Sequence, residues 1–274
     1  MRKMYLLLFV TLLFVGCSQN KIENDLAVMN IKGSVVAVTD TIWNVEEMFG
    51  EVVKKGIDKL IKYEFNNQGN LIAVLEYGSD GKLEEKTIKE YNEKGEILSD
   101  KTYKDDGSLY RSHVFNYIND NTHKINIVWN GYSKYTEERV VYLTNNSVDS
   151  IYSVTKEDGK ELVSKTVCRK IDKYKTKVTA FQADGSILET MDYVDEKMRF
   201  IKSEGLNENL LCEWTYSDDL LISRLSRGES WYYKTDYKYK LDNKGSWIEL
   251  IEYETEKDGI PRLSKMTTRN IQYK

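Results

Sequence analysis

The stretch SWYYKTDYKYKL, residues 230–241, holds the side chains best suited to binding chemistry. In an extended chain alternate side chains share a face, so Trp231, Tyr233, Tyr237 and Tyr239 line one side. Tyr232, Lys234, Asp236, Lys238 and Lys240 line the other. A flat aromatic row with polar neighbours can stack against the apolar faces of sugars, and a tyrosine-rich sheet uses the same row for cross-strand packing. Trp129, Trp214 and Trp247 also sit in alternating stretches. Catalytic patterns are otherwise missing: the chain has no HExxH, GxSxG, CxxC or P-loop motif. Two histidines rule out a three-histidine zinc site by count. His113 and His123 are ten residues apart and could meet across a hairpin, but neither has an evident third ligand or nucleophile nearby. The acidic loops around Gly107 and Gly259 lack the ligand spacing of a calcium loop, with Lys104 and Lys265 standing where oxygen ligands are needed. No metal or other cofactor is expected. Forty-four carboxylates leave a glycosidase-type acid pair open, because such a pair is defined by distance in space.

The elements that would position these residues follow from composition and repetition. The 274 residues are 41% hydrophobic and 12% aromatic, enough to build a core. A net charge of −4 without a basic stripe argues against a nucleic-acid partner. A repeated unit runs through the chain: FNNQGNL, YGSDGKL, YNEKGEI and YKDDGSL, starting at Phe65, Tyr77, Tyr91 and Tyr103. Each is an aromatic, three polar residues, a glycine, one residue, then Leu or Ile, with Gly69, Gly81, Gly95 and Gly107 in the glycine position. FQADGSI (Gly185) and LDNKGSW (Gly245) are fainter copies, and longer variants begin at Val154 and Tyr253. Glycine after Asp, Lys or Gln, between alternating apolar flanks, is a hairpin signal. A turn every 12–14 residues predicts roughly 16 to 18 strands in antiparallel order. The expected fold is all-β, an extended antiparallel meander of repeated hairpins. An open curved sheet is the main reading, and a closed barrel or a sandwich are the alternatives.

One segment competes with this. Val45, Met48, Phe49, Val52, Val53, Ile57, Leu60 and Ile61 recur at helical spacing, but Gly50 and Gly56 interrupt them, and strands with turns at the glycines are preferred. Cys168 and Cys212 lie in strand-like stretches and read as two separate buried thiols rather than a disulfide framework.

The amino terminus is an address. Arg2 and Lys3 precede an apolar run from Leu6 to Val15; ten residues rise about 15 Å as a helix, half of a roughly 30 Å hydrocarbon core, so this is a signal peptide rather than a span. The stretch LLFVGC resembles a bacterial lipobox, which implies cleavage after Gly16 and a lipid on Cys17. Residues 1–16 are then the lipoprotein signal peptide, 17–30 a membrane tether, and 31–274 a single β-repeat domain. Loss of Arg2 and Lys3 leaves 38 basic against 44 acidic residues, a net charge of −6.

The repeat units resemble YD and Rhs-type repeats. More closely, the chain resembles a class of small Bacteroidetes lipoproteins that open with a pattern like IKGSVVAVTDTIWNVEEMFGEVVKKG and close with one like DNKGSWIELIEY…SKMTTRNIQYK. The resemblance covers about residues 31–117 and 237–274, and implies a scaffold largely without assigned activity. The function expected is a non-catalytic cell-envelope lipoprotein whose β-surface binds a protein or glycan partner. It would be lipid-anchored in the outer membrane, facing the periplasm or the exterior. The alternatives are a carbohydrate-active hydrolase with a carboxylate pair, and an immunity-type, antitoxin-like repeat protein.

Overall fold

The structure is a computed structural model that describes residues 24–274 except 132–133, 145–146, 158, 207–209 and 258, and the side chain of Lys134. The signal peptide, Cys17 and residues 17–23 of the expected tether lie outside the described residues.

β-Branched and aromatic residues between glycine turns favour a pleated, half-buried surface, and the chain forms strands almost throughout. A short helix α1 (Asp25–Val28) precedes β1 (Val35–Met48), β2 (Glu51–Phe65), β3 (Leu71–Gly78), β4 (Leu83–Tyr91), β5 (Ile97–Lys104) and β6 (Leu109–Asn119). Then come β7 (Thr122–Asn130), β8 (Lys134–Thr144), β9 (Ser147–Glu157), β10 (Lys160–Asp172), β11 (Lys175–Phe181) and β12 (Ile187–Val194). The last six are β13 (Phe200–Gly205), β14 (Leu211–Ser217), β15 (Leu220–Arg227), β16 (Tyr232–Leu241), β17 (Trp247–Thr255) and β18 (Pro261–Tyr273). They form one 18-stranded antiparallel meander in which β18 pairs with β1, through Asp40↔Arg269 and Val38↔Ile271 among others. The last strand thus returns to the first, the strand order of the closed-barrel alternative rather than of an open sheet. Neither end of the chain leaves an edge strand. The single proline, Pro261, sits at the first position of β18, where its missing N–H costs the ladder least.

The helical pattern over 45–61 yields to strand, as preferred: Gly50 lies in the β1–β2 turn, while Gly56 falls within β2 beside a register shift at Asn44/Val45 rather than in a turn. Cys168 on β10 is buried and Cys212 on β14 is half-buried, and no disulfide joins them.

The expected single domain divides into two compact units. One comprises Glu23–His113 and Leu211–Lys274, the other residues from Val114 to Leu210, with β6 contributing to both. In the first, Leu26 of α1 joins Ile31, Val35, Val38, Phe65 and Leu71 in an apolar cluster. Asn24 caps the helix by accepting from the Ala27 N–H at 3.1 Å. Asp25 accepts from the Leu71 N–H (2.7 Å) and the Tyr91 hydroxyl (3.0 Å). Residues 24–30 are therefore docked on the sheet, which corrects the reading of 17–30 as tether: burial of Leu26 and these bonds hold them in place. In the second unit, Ile127, Val141, Ile151, Cys168, Val178 and Ala180 are the buried apolar side chains.

The repeat explains how the strands are joined. In FNNQGNL the Asn66 side chain accepts from the N–H groups of Gln68 (2.9 Å) and Asn70 (3.0 Å), and Gly69 takes φ +83°. Asn66 N–H bonds the Asn70 carbonyl, so a turn runs into a bulge, and the ladder slips by one at Glu64/Phe65. Asn92 and Asp242 do the same for their own turns. Gly69, Gly81, Gly95, Gly107, Gly185 and Gly245 all have φ between +76° and +83°.

Candidate functional site

The most exposed part of the predicted aromatic row is held by a tight turn. After β15 the chain turns through Arg227, Gly228, Glu229 and Ser230, and the Gly228 N–H bonds the Trp231 carbonyl at 3.0 Å. The indole lies against Gly228: a Cβ there would clash with Trp231 Nε1 and meet Cε2 at 2.7 Å. Only glycine admits that approach. Trp231 stays 37% exposed and borders a cleft of about 310 Å³. Arg227, Gly228, Glu229 and Tyr232 line one side, and Glu256, Lys257 and Gly259 from the β17–β18 turn line the other. Two cations, two carboxylates and an indole give a site without net charge that can stack a flat apolar ring face and hydrogen-bond around its rim. The volume sits at the lower end of ligand sites, enough for a small ligand or one end of a longer one.

The row of four does not act as one surface. Tyr233, Tyr237 and Tyr239 alternate along β16, Trp231 precedes the strand, and the strand is buried at Thr235 between Tyr233 and Tyr237. Tyr233 is 40% exposed. Burial, together with a hydrogen bond to Glu254, pushes its hydroxyl well above the usual range. Tyr237 is half-buried opposite Glu252, and burial and that carboxylate raise its hydroxyl too. Tyr239 is a packing residue: its hydroxyl donates to the Leu221 carbonyl at 2.9 Å and its ring meets Trp247 edge-on, 6.3 Å between centroids. Burial, then the neighbouring Tyr237 and Glu252, push its pKa up to about 12.

Trp247 is held in turn from its other neighbours. The Arg269 guanidinium carbon lies 3.4 Å from the Trp247 ring centroid, and Arg269 grips Asp40 with two bonds of 2.7 and 2.6 Å in a buried pair. The sheet thus splits the row into an exposed half, Trp231 and Tyr233, and a packed half, Tyr237 and Tyr239.

Sequence reading passed over Arg227, Glu229 and Lys257, which look like ordinary turn charges, and over Glu252; Glu254 and Glu256 entered it only as part of the rejected calcium loop around Gly259. Glu252 and Glu254 share a face of β17 two residues apart. Burial raises the Glu252 carboxyl above its usual range, with Lys265 pulling it down and Glu254 pushing it up. Of the two histidines, His123 packs edge-on against Tyr117 at 4.7 Å.

No family model and no curated protein matches the chain. Among solved structures it is similar to a porin-like protein from Bacteroides uniformis, at 11% identity and a TM-score of 0.45, over 87% of this chain and 96% of that one. A porin-like protein from Bacteroides vulgatus matches at 12% identity and a TM-score of 0.29, over 89% and 99%. A structure described as TcdB2-TccC3-Cdc42 matches at 10% and 0.32, over 82% of this chain and 13% of that one. At these scores the likenesses carry no argument about function.

Proposed function

We propose that the chain is a non-catalytic cell-envelope lipoprotein, anchored in the outer membrane through a lipid on Cys17, whose β-scaffold binds a glycan at the Trp231 cleft. The observation that carries the binding site is an exposed indole held against Gly228 beside a charge-balanced cleft. Anchoring by lipid rather than by strands is supported by ion pairs on both faces of the Glu23–His113 and Leu211–Lys274 unit. Lys62–Glu64 lies on one face, and Lys59–Glu76 on the other. A charge facing mid-bilayer lipid costs about 2–4 kcal/mol for Lys.

The test is a glycan and polysaccharide array probed with the chain from Ser18 onward, read by tryptophan fluorescence. A saturable hit should weaken at least tenfold, about 1.4 kcal/mol, in Trp231→Ala, and similarly in Gly228→Val, which displaces the indole. A clean negative across the array returns Trp231 to packing and sinks the site. Labelling with radioactive palmitate should mark the full chain and not Cys17→Ala. The raised Glu252 beside Glu254 favours one second reading, a glycan hydrolase. Release of reducing sugar from the array hit, lost in Glu252→Gln, would establish it instead.

A further inference from the structure

Strands β1 and β2 leave the ladders of their neighbours before they reach their own turn. β18 pairs with β1 only as far as Trp43↔Met266, its residues 261–265 pairing with β17 alone, and β3 joins β2 only from Lys59↔Gly78. The pairs from Asn44↔Gly56 to Met48↔Glu51 therefore form a two-stranded ribbon about 15–20 Å long, bonded to neither neighbour. Its edges carry the usual protection against stray pairing, a register shift at Asn44/Val45 and the lysines Lys54 and Lys55. Its faces are mixed, with Glu46 opposite Val53, Glu47 opposite Val52 and Val45 opposite Lys54.

The tip breaks this caution. Phe49 is fully exposed, at 101%, and stands at φ +55° followed by Gly50 at +82°. A two-residue hairpin turn with both central residues left-handed suits Asn-Gly or Asp-Gly, and a bulky aromatic there is strained. The Phe49 ring therefore costs the fold conformational energy and returns no burial. An outlier of this kind points to a role outside folding.

We propose that Phe49 is the anchor of a docking finger that inserts into an apolar pocket, rimmed by basic side chains, on a partner protein. The sign of the rim follows from the tip's own charges. Lys55 is taken up by Glu46 at 2.7 Å, and Lys54 lies 4.6 Å over the Trp43 ring. The exposed carboxylates of Glu47 and Glu51 flank Phe49 and leave the tip acidic, which disfavours an anionic membrane surface. The finger sits at the β1 end opposite α1, which packs by Gly69 and Leu71. On the lipoprotein reading, and resting on it, the finger points away from the anchoring membrane.

The test places the photo-crosslinking analogue p-benzoylphenylalanine at position 49 of the full chain in intact cells of its native host. The expected result is one discrete protein adduct that is absent when the analogue replaces Asp80, in another turn at the same end of this unit. The adduct should fall at least tenfold when Glu47→Lys and Glu51→Lys are added. No adduct, equal adducts from both positions, a lipid adduct, an adduct of two copies of this chain, or indifference to the charge reversal overturns the proposal. In the purified chain Phe49→Asn should raise the melting temperature by about 2–4 °C; a fall would show that the ring serves the fold, and would equally overturn it. An adduct retained in Cys17→Ala, with the chain released from the membrane, supports docking and separates it from the anchoring.

Discussion

Met198 occupies a glycine's place. In YVDEKMRF the Asp195 side chain accepts from the N–H groups of Lys197 and Arg199, both at 2.9 Å, and Met198 takes φ +62°. This is the repeat's turn with methionine at the glycine position, a copy invisible to a reading keyed on glycine. Met198→Gly should raise stability by about 0.5–1 kcal/mol in urea denaturation, the left-handed penalty less the extra freedom of glycine in the unfolded chain. Two buried carboxylates behave differently. Asp40 is paired with Arg269, and removing one partner leaves the other charge buried, so Asp40→Asn or Arg269→Met should cost about 3–5 kcal/mol. Asp192 is buried with the Ser203 hydroxyl donating to it at 2.5 Å, and burial raises its pKa above the ordinary 3.8 despite that bond and one from Thr190. Folding therefore favours its neutral form. The contribution is fully present below pH 3.8 and is lost as pH rises through the raised value. Asp192→Asn should accordingly be more stable than the parent at pH 7 and converge with it in acid, as followed by denaturation midpoints across pH. The Asp40–Arg269 contact could not be read from the sequence, because its partners are 229 positions apart and nothing in the opening pattern or the closing one pairs them.

At the scale of the element, the turns were the legible part, since glycine in a fixed setting reports positive φ directly. What the repeat did not disclose was a second component that some copies carry, an Asn or Asp at its second position (Asn66, Asn92, Asp242) whose side chain organises the turn. Asp242 is the fullest case, accepting from the Lys244 and Ser246 N–H groups and from the Tyr273 hydroxyl at 2.5 Å. Burial alone would raise its carboxyl, but the Tyr273 and backbone bonds outweigh it and hold the pKa low. That contribution is present at neutral pH and is lost as pH falls through the depressed value. Asp242→Ala should cost about 1–2 kcal/mol near pH 7, with the difference shrinking in acid. Strand parity likewise groups Tyr233, Tyr237 and Tyr239 but does not give their depth: Thr235, of the same parity, is buried while Tyr233 is 40% exposed. Phe49 marks the same limit from the opposite side, since apolar spacing counted it towards a buried face and the hairpin leaves it bare.

At the scale of the whole chain, the all-β meander was readable because turn spacing alone counts strands. The pairing of β18 with β1 was not, because no local signal marks a contact between the two ends of a sequence. That pairing has a test of its own: deleting residues 261–274 should send the chain from the soluble to the pelleted fraction, whereas removing Lys274 alone should not. Its consequence reaches into biosynthesis. A ribosome delivers β1 early, and β2 can zip onto one flank at once, yet the strand that covers the other flank is the last to emerge. For the whole of translation and any passage through a translocon, the nascent chain carries an open hydrogen-bonding margin that a holding chaperone must shield. A message cut short before Pro261 would yield an adhesive fragment, and quality-control proteases would have to clear it.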